Sequence, residues 1–137
     1  MYLDMNNNRI QTVTAFPPGG CDRLKLIYLD GNRLTNLPND FLGSCPILER
    51  ISLRRNYLTS IPPINRTLAS PSIELLLDDN KISGIVSASQ FVGLSTLKTL
   101  SLGNNNITKF EESSLQQMPM LTTLILTMNR FVSSYKL

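Results

Sequence analysis

Few side chains in this sequence of 137 residues could perform catalysis. It contains no histidine, which is the commonest general base and metal ligand in enzymes. Asp78 and Asp79 form a tight carboxylate pair, but no glycine-rich loop and no histidine accompanies them. An acid–base site needs such partners in a shared pocket. We therefore predict that the chain is not an enzyme and carries no catalytic residue, cofactor or metal ion.

The basic residues do not form a concentrated patch in the sequence. The net charge is +3, and the 13 lysines and arginines are spread along the chain, with Arg54 and Arg55 as the adjacent pair. A nucleic-acid-binding domain usually clusters such residues on one face or helix. No apolar run reaches the roughly 18 residues of a membrane helix, and residues 1–10 lack the apolar stretch of a secretory signal. We expect neither nucleic acid binding nor membrane contact by this segment.

One pattern repeats along the whole chain. Leucine occupies 23 positions and asparagine 13, and both recur in the form Leu-x-x-Leu-x-Leu-x-x-Asn-x-Leu. Four clear copies begin at Leu24, Leu48, Leu97 and Leu121, a fifth begins at Ser72, and a partial copy includes Leu3. The asparagines at positions 8, 32, 56, 80, 105 and 129 lie 24 or 25 residues apart. The sequence therefore predicts a single array of about six repeats over residues 1–137.

The pattern has a direct physical interpretation. Alternating leucines are typical of a short strand with one buried face, and such strands are stable only when successive copies stack into a parallel sheet. The asparagine follows each strand at a turn, where its amide can satisfy backbone groups that would otherwise lie buried and unpaired. We expect these asparagines to form a structural ladder: Asn8, Asn32, Asn56, Asn80, Asn105 and Asn129.

The pattern resembles the leucine-rich repeat family over essentially the whole chain. The resemblance implies an α/β solenoid, a horseshoe with a parallel β-sheet on the concave face and short helical or extended segments on the convex face. Leu37-Pro38 with Phe41, and Ile61-Pro62, are similar to the class of about 24 residues found in extracellular receptors such as Toll-like receptors. The Cys-x-x-Leu segments at Cys21 and Cys45 are similar to a variant of plant receptors.

Two features of the core follow from the repeat positions. Cys21 and Cys45 lie 24 residues apart at equivalent positions, so we expect stacked, buried, free thiols, with a disulfide bond as the alternative. The residues between strands should return over the convex face, where the proline-rich stretch 62–71 should be extended or turn-like, not helical. We expect six apolar side chains to close the core from that face: Phe16, Phe41, Phe91, Phe110, Leu115 and Met118.

The outward strand positions form the natural binding surface of such a solenoid. We expect a contact patch for a protein or peptide ligand made of Tyr2, Leu26, Tyr28, Arg50, Arg54 and Arg55, with Asp78 beside it. Ser52 and Ser101 also occupy outward positions. An alternative role for the arginines is cross-strand pairing, one strand over. The expected pairs are Arg50 with Glu74, Arg54 with Asp78, and Arg55 with Asp79.

The resemblance implies a protein-binding module in the ectodomain of a cell-surface receptor or a secreted adhesion protein. The triplets that begin at Asn65 and Asn106 fit the N-glycosylation pattern, and both asparagines should be exposed in an extracellular glycoprotein. Alternatives are a cytoplasmic scaffold or immune sensor, and an accessory array of a larger enzyme such as a receptor kinase. No capping repeat is evident, so we expect a fragment whose uncapped ends fray or self-associate.

Overall fold

The computed structural model describes residues 1–42, 45–63 and 72–132. Six parallel strands, one from each repeat, form the main sheet and pair in chain order. They are β1 (Tyr2–Asp4), β2 (Leu26–Tyr28), β3 (Arg50–Ser52), β4 (Ile73–Leu76), β6 (Leu97–Ser101) and β8 (Thr123–Ile125). The repeat pattern predicted this solenoid correctly, because each strand pairs with the equivalent strand of the next repeat.

The register places equivalent residues side by side. Leu3 pairs with Ile27, Ile27 with Ile51, and Ile51 with Leu75. The middle members of this row are completely buried, as are the leucines two residues later in the middle repeats, such as Leu53 and Leu77. At both ends of the sheet, Leu3 and Leu124 are partly buried against the same core. The inward leucines therefore form one continuous core, as the alternating pattern indicated.

A second, smaller sheet lies on the return path of two repeats. β5 (Ser83–Val86) and β7 (Asn106–Phe110) pair in parallel, and each leads into a short 3-10 helix, Ala88–Phe91 or Glu112–Gln117. Phe91 and Phe110 are buried and their ring centroids are 6.2 Å apart.

Most of the six side chains expected to close the core do so. Phe41 and Met118 are buried, like Phe91 and Phe110, and Phe16 packs against Phe41 with ring centroids 5.6 Å apart. The expectation for Leu115 is wrong, because this side chain is 44% exposed. The tight helical turn places Ser114 inward instead, and Ser114 is completely buried.

The ladder asparagines bridge neighbouring repeats. The Asn56 amide donates to the carbonyl oxygens of Leu53 in its own repeat and Leu29 in the preceding one. Its Oδ1 accepts from the backbone N–H of Leu34, also in the preceding repeat. The same three contacts recur at four other repeats, made by Asn32, Asn80, Asn105 and Asn129. Asn8 is exposed, and its amide donates to Met5 and Asn6 within the first repeat.

The residue before each ladder asparagine adopts a left-handed backbone conformation. This conformation suits glycine and, to a lesser extent, asparagine and aspartate, but costs other residues about 1–2 kcal/mol. Arg55, with φ of 53°, and Met128, with φ of 55°, are the two long side chains that occupy it. The other residues at this position are Asn7, Gly31, Asp79 and Asn104.

Cys21 and Cys45 form a disulfide bond, so the expectation of two free thiols is wrong. Stacking of two consecutive repeats brings their Cα atoms to 4.9 Å, within the range that a disulfide spans. Both residues are completely buried beside the start of β2 and β3. The bond therefore joins two neighbouring repeats covalently.

Within the described ranges, no helix has the length and apolar character needed to cross a bilayer. The same residues contain no group of three or more histidine, cysteine, aspartate or glutamate side chains suited to a metal ion.

Candidate binding surface on the concave sheet

The outward residues of the main sheet lie in three parallel rows. The first row is Tyr2, Leu26, Arg50, Glu74, Thr99 and Thr123. The second row is Asp4, Tyr28, Ser52, Leu76, Ser101 and Ile125. The third row, just beyond the strands, contains Asn6, Asp30, Arg54, Asp78, Gly103 and Thr127. Most of the predicted contact residues therefore meet on one face, across the first four repeats.

Tyr28, Arg50 and Glu74 are linked across three neighbouring strands. The guanidinium of Arg50 donates from Nε to Glu74 Oε2 at 2.5 Å, and from Nη1 to the Tyr28 hydroxyl at 3.4 Å. Both hydrogen bonds raise the pKa of Arg50 above its ordinary value, and the bond to Glu74 has the larger effect. Arg50 therefore stays positively charged at physiological pH. The expected ion pair of Arg50 with Glu74 is confirmed. Arg50 also holds the Tyr28 hydroxyl through its second hydrogen bond.

Arg54 lies between two carboxylates of the third row. Its Nε donates to Asp78 Oδ2 at 3.0 Å, which confirms the second expected ion pair. Its backbone N–H donates to Asp30 Oδ1 at 2.8 Å. The Arg54 side chain remains 44% exposed, whereas that of Asp78 is 18% exposed. A ligand on this face would therefore meet the arginine more than the aspartate.

Asp30 and Asp78 have a structural role that sequence reasoning missed. Asp30 Oδ1 accepts from the Ser52 hydroxyl, and Asp78 Oδ1 accepts from the Ser101 hydroxyl and the Gly103 N–H. A Cβ atom on Gly103 would lie 2.8 Å from Asp78 Oδ1, so glycine allows this close approach. The sequence does contain a signal, because a serine follows each of these aspartates one repeat later.

Two predicted outward residues are not available on the surface. Ser52 and Ser101 are both only 1% exposed, because the side chains of their neighbours cover them. Each hydroxyl is turned toward the aspartate of the preceding repeat. The expectation that they line the open face is therefore wrong.

Arg55 does not pair with Asp79 in the described part of the chain, so the third expected ion pair is wrong. Its Nη2 instead donates to Asn7 Oδ1, two repeats away, at 3.4 Å. Gly31, which lies between them, has no side chain to separate the two, and a Cβ atom there would be 2.5 Å from Asn7 Oδ1. Asp79 Oδ1 instead accepts from the side-chain amide of Asn104, in the following repeat.

The apolar part of the patch lies at the same end of the face. Tyr2 is 67% exposed and pairs directly with Leu26, which is half-buried. Leu26 in turn pairs with Arg50. The face therefore combines two tyrosines and a leucine with three arginines.

Of the two candidate glycosylation positions, the one that the structure describes, Asn106, lies away from this face. Asn106 begins β7 in the second sheet and is half-buried, so the expectation of full exposure is wrong for this residue. Its backbone N–H donates to the carbonyl oxygen of Ile82, which ties it to the preceding repeat. Asn65 lies outside the described residues.

A family model described as leucine rich repeat matches residues 22–65 and 74–131, which together make up most of the chain. The chain belongs to the leucine-rich repeat family. The parallel sheet, the inward leucines and the asparagine ladder are therefore features of a leucine-rich repeat solenoid.

Curated proteins from several animals resemble this leucine-rich repeat chain. It is 33% identical to asporin of Bos taurus over 131 residues, which cover 93% of this chain and 34% of asporin. It is 34% identical to decorin of Rattus norvegicus over 121 residues, 87% of this chain and 33% of decorin. It is 28% identical to "Probable glycoprotein hormone G-protein coupled receptor" of Anthopleura elegantissima, over 88% of this chain and 13% of the receptor. The chain spans about a third of the length of asporin and decorin.

Proposed function

We propose that this leucine-rich repeat array is a non-catalytic module that binds a protein or peptide on its concave face. The contact patch consists of Tyr2, Leu26, Tyr28, Arg50, Arg54 and Arg55. The observation that carries this proposal is the set of hydrogen bonds from Arg50 to Tyr28 and Glu74. Tyrosine and arginine dominate the energetics of protein interfaces, and side chains that are fixed before binding lose less entropy on association.

Arg55 adds a second argument for the same face. It is exposed and has a positive φ, where an asparagine or glycine would cost less. Residues held in such costly conformations are concentrated at functional sites. Arg55 makes no ion pair among the described residues, so its charge is available to a ligand carboxylate.

The proposed location is extracellular, in a cell-surface receptor or a secreted adhesion protein. The disulfide between Cys21 and Cys45 supports this, because such bonds persist in oxidising compartments and are rare in the cytosol. One relative carries the name of a G-protein coupled receptor. The disulfide disfavours the cytoplasmic scaffold or immune sensor, whereas the ectodomain of a receptor kinase fits the same observations.

The binding proposal can be tested with a displayed library of random peptides, selected on the immobilised chain. Selected peptides would then be titrated against Tyr28→Ala and Arg54→Ala, with the exposed residues Tyr57→Ala and Arg23→Ala as matched controls off the concave face. We expect each concave variant to weaken binding about tenfold, the effect of a typical interface hot spot. Peptides that bind the concave variants as tightly as the original chain would overturn the proposal.

A further inference from the structure

A second ordered surface runs along one edge of the solenoid, away from the concave face. It consists of the residue that follows each ladder asparagine, and we call it the flank stripe. Its members are Arg9, Arg33, Tyr57, Lys81, Asn106 and Arg130. All but Asn106 are exposed. Four of the six are cations.

Backbone hydrogen bonds hold the flank stripe in line. The N–H of Arg33 donates to Ile10 O, that of Lys81 to Leu58 O, and that of Arg130 to Ile107 O, all at 2.8–2.9 Å. Each bond joins one repeat to the preceding one, so successive members are separated by about 4.8 Å, the spacing of paired strands. The stripe is therefore a row of regularly spaced side chains on a hydrogen-bonded backbone.

The charge on this flank is not balanced. The segments that start with each member of the stripe are residues 9–13, 33–37, 57–61, 81–85, 106–110 and 130–132. They contain five lysines and arginines and no aspartate or glutamate. The ion pairs of the described residues use Lys25, Arg50 and Arg54, all outside these segments. In contrast to the concave face, these segments present cations without compensating carboxylates of their own.

A recess in the same flank adds a second observation. It has a volume of about 370 Å³ and is lined by Gln11, Thr12, Arg33, Thr35 and Tyr57. The lining combines a guanidinium, an aromatic ring, two hydroxyls and an amide. A sugar ring offers an apolar face to an aromatic side chain and hydroxyls to polar groups, and a sulfate on it suits the arginine fork.

We propose that the flank stripe binds a sulfated polysaccharide, with one sugar seated in the recess beside Tyr57. A linear polyanion matches a regularly spaced row of cations, and its sulfates would contact Arg33, Lys81 and Arg130. This surface is separate from the concave face, so the inference does not depend on the proposed protein-binding function.

Two other polyanions fit the flank less well. Single-stranded nucleic acid is usually held by aromatic side chains on which successive bases stack, and the stripe has one aromatic residue. Binding to an anionic bilayer usually adds apolar side chains that insert among the lipids. The residues that alternate with the stripe, such as Leu34, Leu58 and Ile82, are buried and so cannot insert.

The test compares heparin oligosaccharide with the same oligosaccharide after chemical desulfation, by titration calorimetry at several salt concentrations. The double variant Arg33→Gln with Lys81→Gln removes two members of the stripe. The double variant Arg23→Gln with Lys98→Gln is the matched control. It also removes one arginine and one lysine, but from exposed positions outside the flank. Thermal unfolding of both variants checks that the fold is retained.

We expect heparin oligosaccharide to bind in a sulfate-dependent way. The flank variant should weaken binding about tenfold and lower the slope against log salt by about two, whereas the control should change affinity less than about twofold. Tyr57→Ala should weaken binding without changing the salt slope. Equal losses in the two double variants would show that net charge alone attracts the polysaccharide, and would overturn the proposal. Tighter binding of duplex DNA or of phosphatidylserine vesicles, or no heparin binding at physiological salt, would also overturn it.

Discussion

The side-chain amide of Asn56 donates to the carbonyl oxygen of Leu29, 27 residues earlier in the sequence, at 2.9 Å. The two residues belong to neighbouring repeats, so this hydrogen bond ties one turn of the solenoid to the next. Because Asn56 is buried, removing its side chain leaves the N–H of Leu34, which it accepts from, away from bulk water. The four buried ladder asparagines therefore stabilise the stacking of repeats and are not available to a ligand; they are Asn32, Asn56, Asn80 and Asn105.

Replacing Asn56 by alanine should lower the free energy of unfolding by about 3 kcal/mol. The substitution leaves the buried N–H of Leu34 without a partner. It also removes one of the two ladder amides that bond the carbonyls of Leu29 and Leu53, which keep only those of Asn32 and Asn80. Urea unfolding followed by circular dichroism measures the change. Asn8→Ala is the matched control and should cost less than about 1 kcal/mol, because Asn8 is exposed and bonds only within its own repeat. Equal losses of unfolding free energy in the two variants would contradict the role of Asn56 in joining neighbouring repeats.

Replacing Cys21 and Cys45 together by alanine should lower the free energy of unfolding by about 3 kcal/mol, the effect expected for a closed loop of this size. Dithiothreitol should destabilise the original chain by a similar amount and leave the double variant unchanged. Thermal unfolding with and without the reductant measures both effects. A stability of the original chain that does not respond to the reductant would mean that the thiols are free.

Replacing Arg55 by glycine should raise the free energy of unfolding by about 1 kcal/mol, because glycine adopts the positive φ at this position without strain. The long hydrogen bond to Asn7 is exposed and contributes little to offset this gain. Arg55→Ala is the control, since it removes the same side chain but keeps the backbone strain, and it should not be stabilising. Both variants should weaken binding of a concave-face peptide equally. A destabilised glycine variant would be inconsistent with strain at Arg55.

Replacing Asp78 by asparagine should destabilise the chain by about 1–2 kcal/mol, since it disturbs the acceptor for Ser101 and Gly103 and breaks the ion pair with Arg54. Asp79→Asn removes the same charge at the neighbouring exposed position, where asparagine suits the left-handed backbone. Chemical unfolding of both variants should show a loss for Asp78→Asn alone. A larger loss of stability in Asp79→Asn than in Asp78→Asn would contradict the structural role of Asp78.

The repeat pattern predicted the parts of the fold that depend on periodicity. Inward residues such as Ile27 and Ile51 follow from alternation, and the register follows from the spacing of the ladder asparagines. The cross-strand pairs of Arg50 and Arg54 follow from that register, because their partners are the equivalent residues one repeat later.

The sequence did not predict contacts that depend on local geometry. Whether Cys21 and Cys45 bond depends on the approach of two side chains from stacked repeats, and the spacing alone could not specify it. The partner of Arg55 depends on the missing side chain of Gly31, one repeat away from both bonded residues. Ser52 occupies an outward position, yet Asp30 draws its hydroxyl into a buried hydrogen bond.

Hydroxyl-radical footprinting tests most directly whether a protein ligand binds the concave face. Tyr2 and Tyr28 report on the concave face, and Tyr57, which is 51% exposed, reports on the flank. We expect a selected peptide to lower the oxidation of Tyr2 and Tyr28 several-fold and to leave Tyr57 unchanged. Heparin oligosaccharide should have the reverse effect. A peptide that protects Tyr57 and leaves Tyr2 and Tyr28 fully reactive would contradict the account.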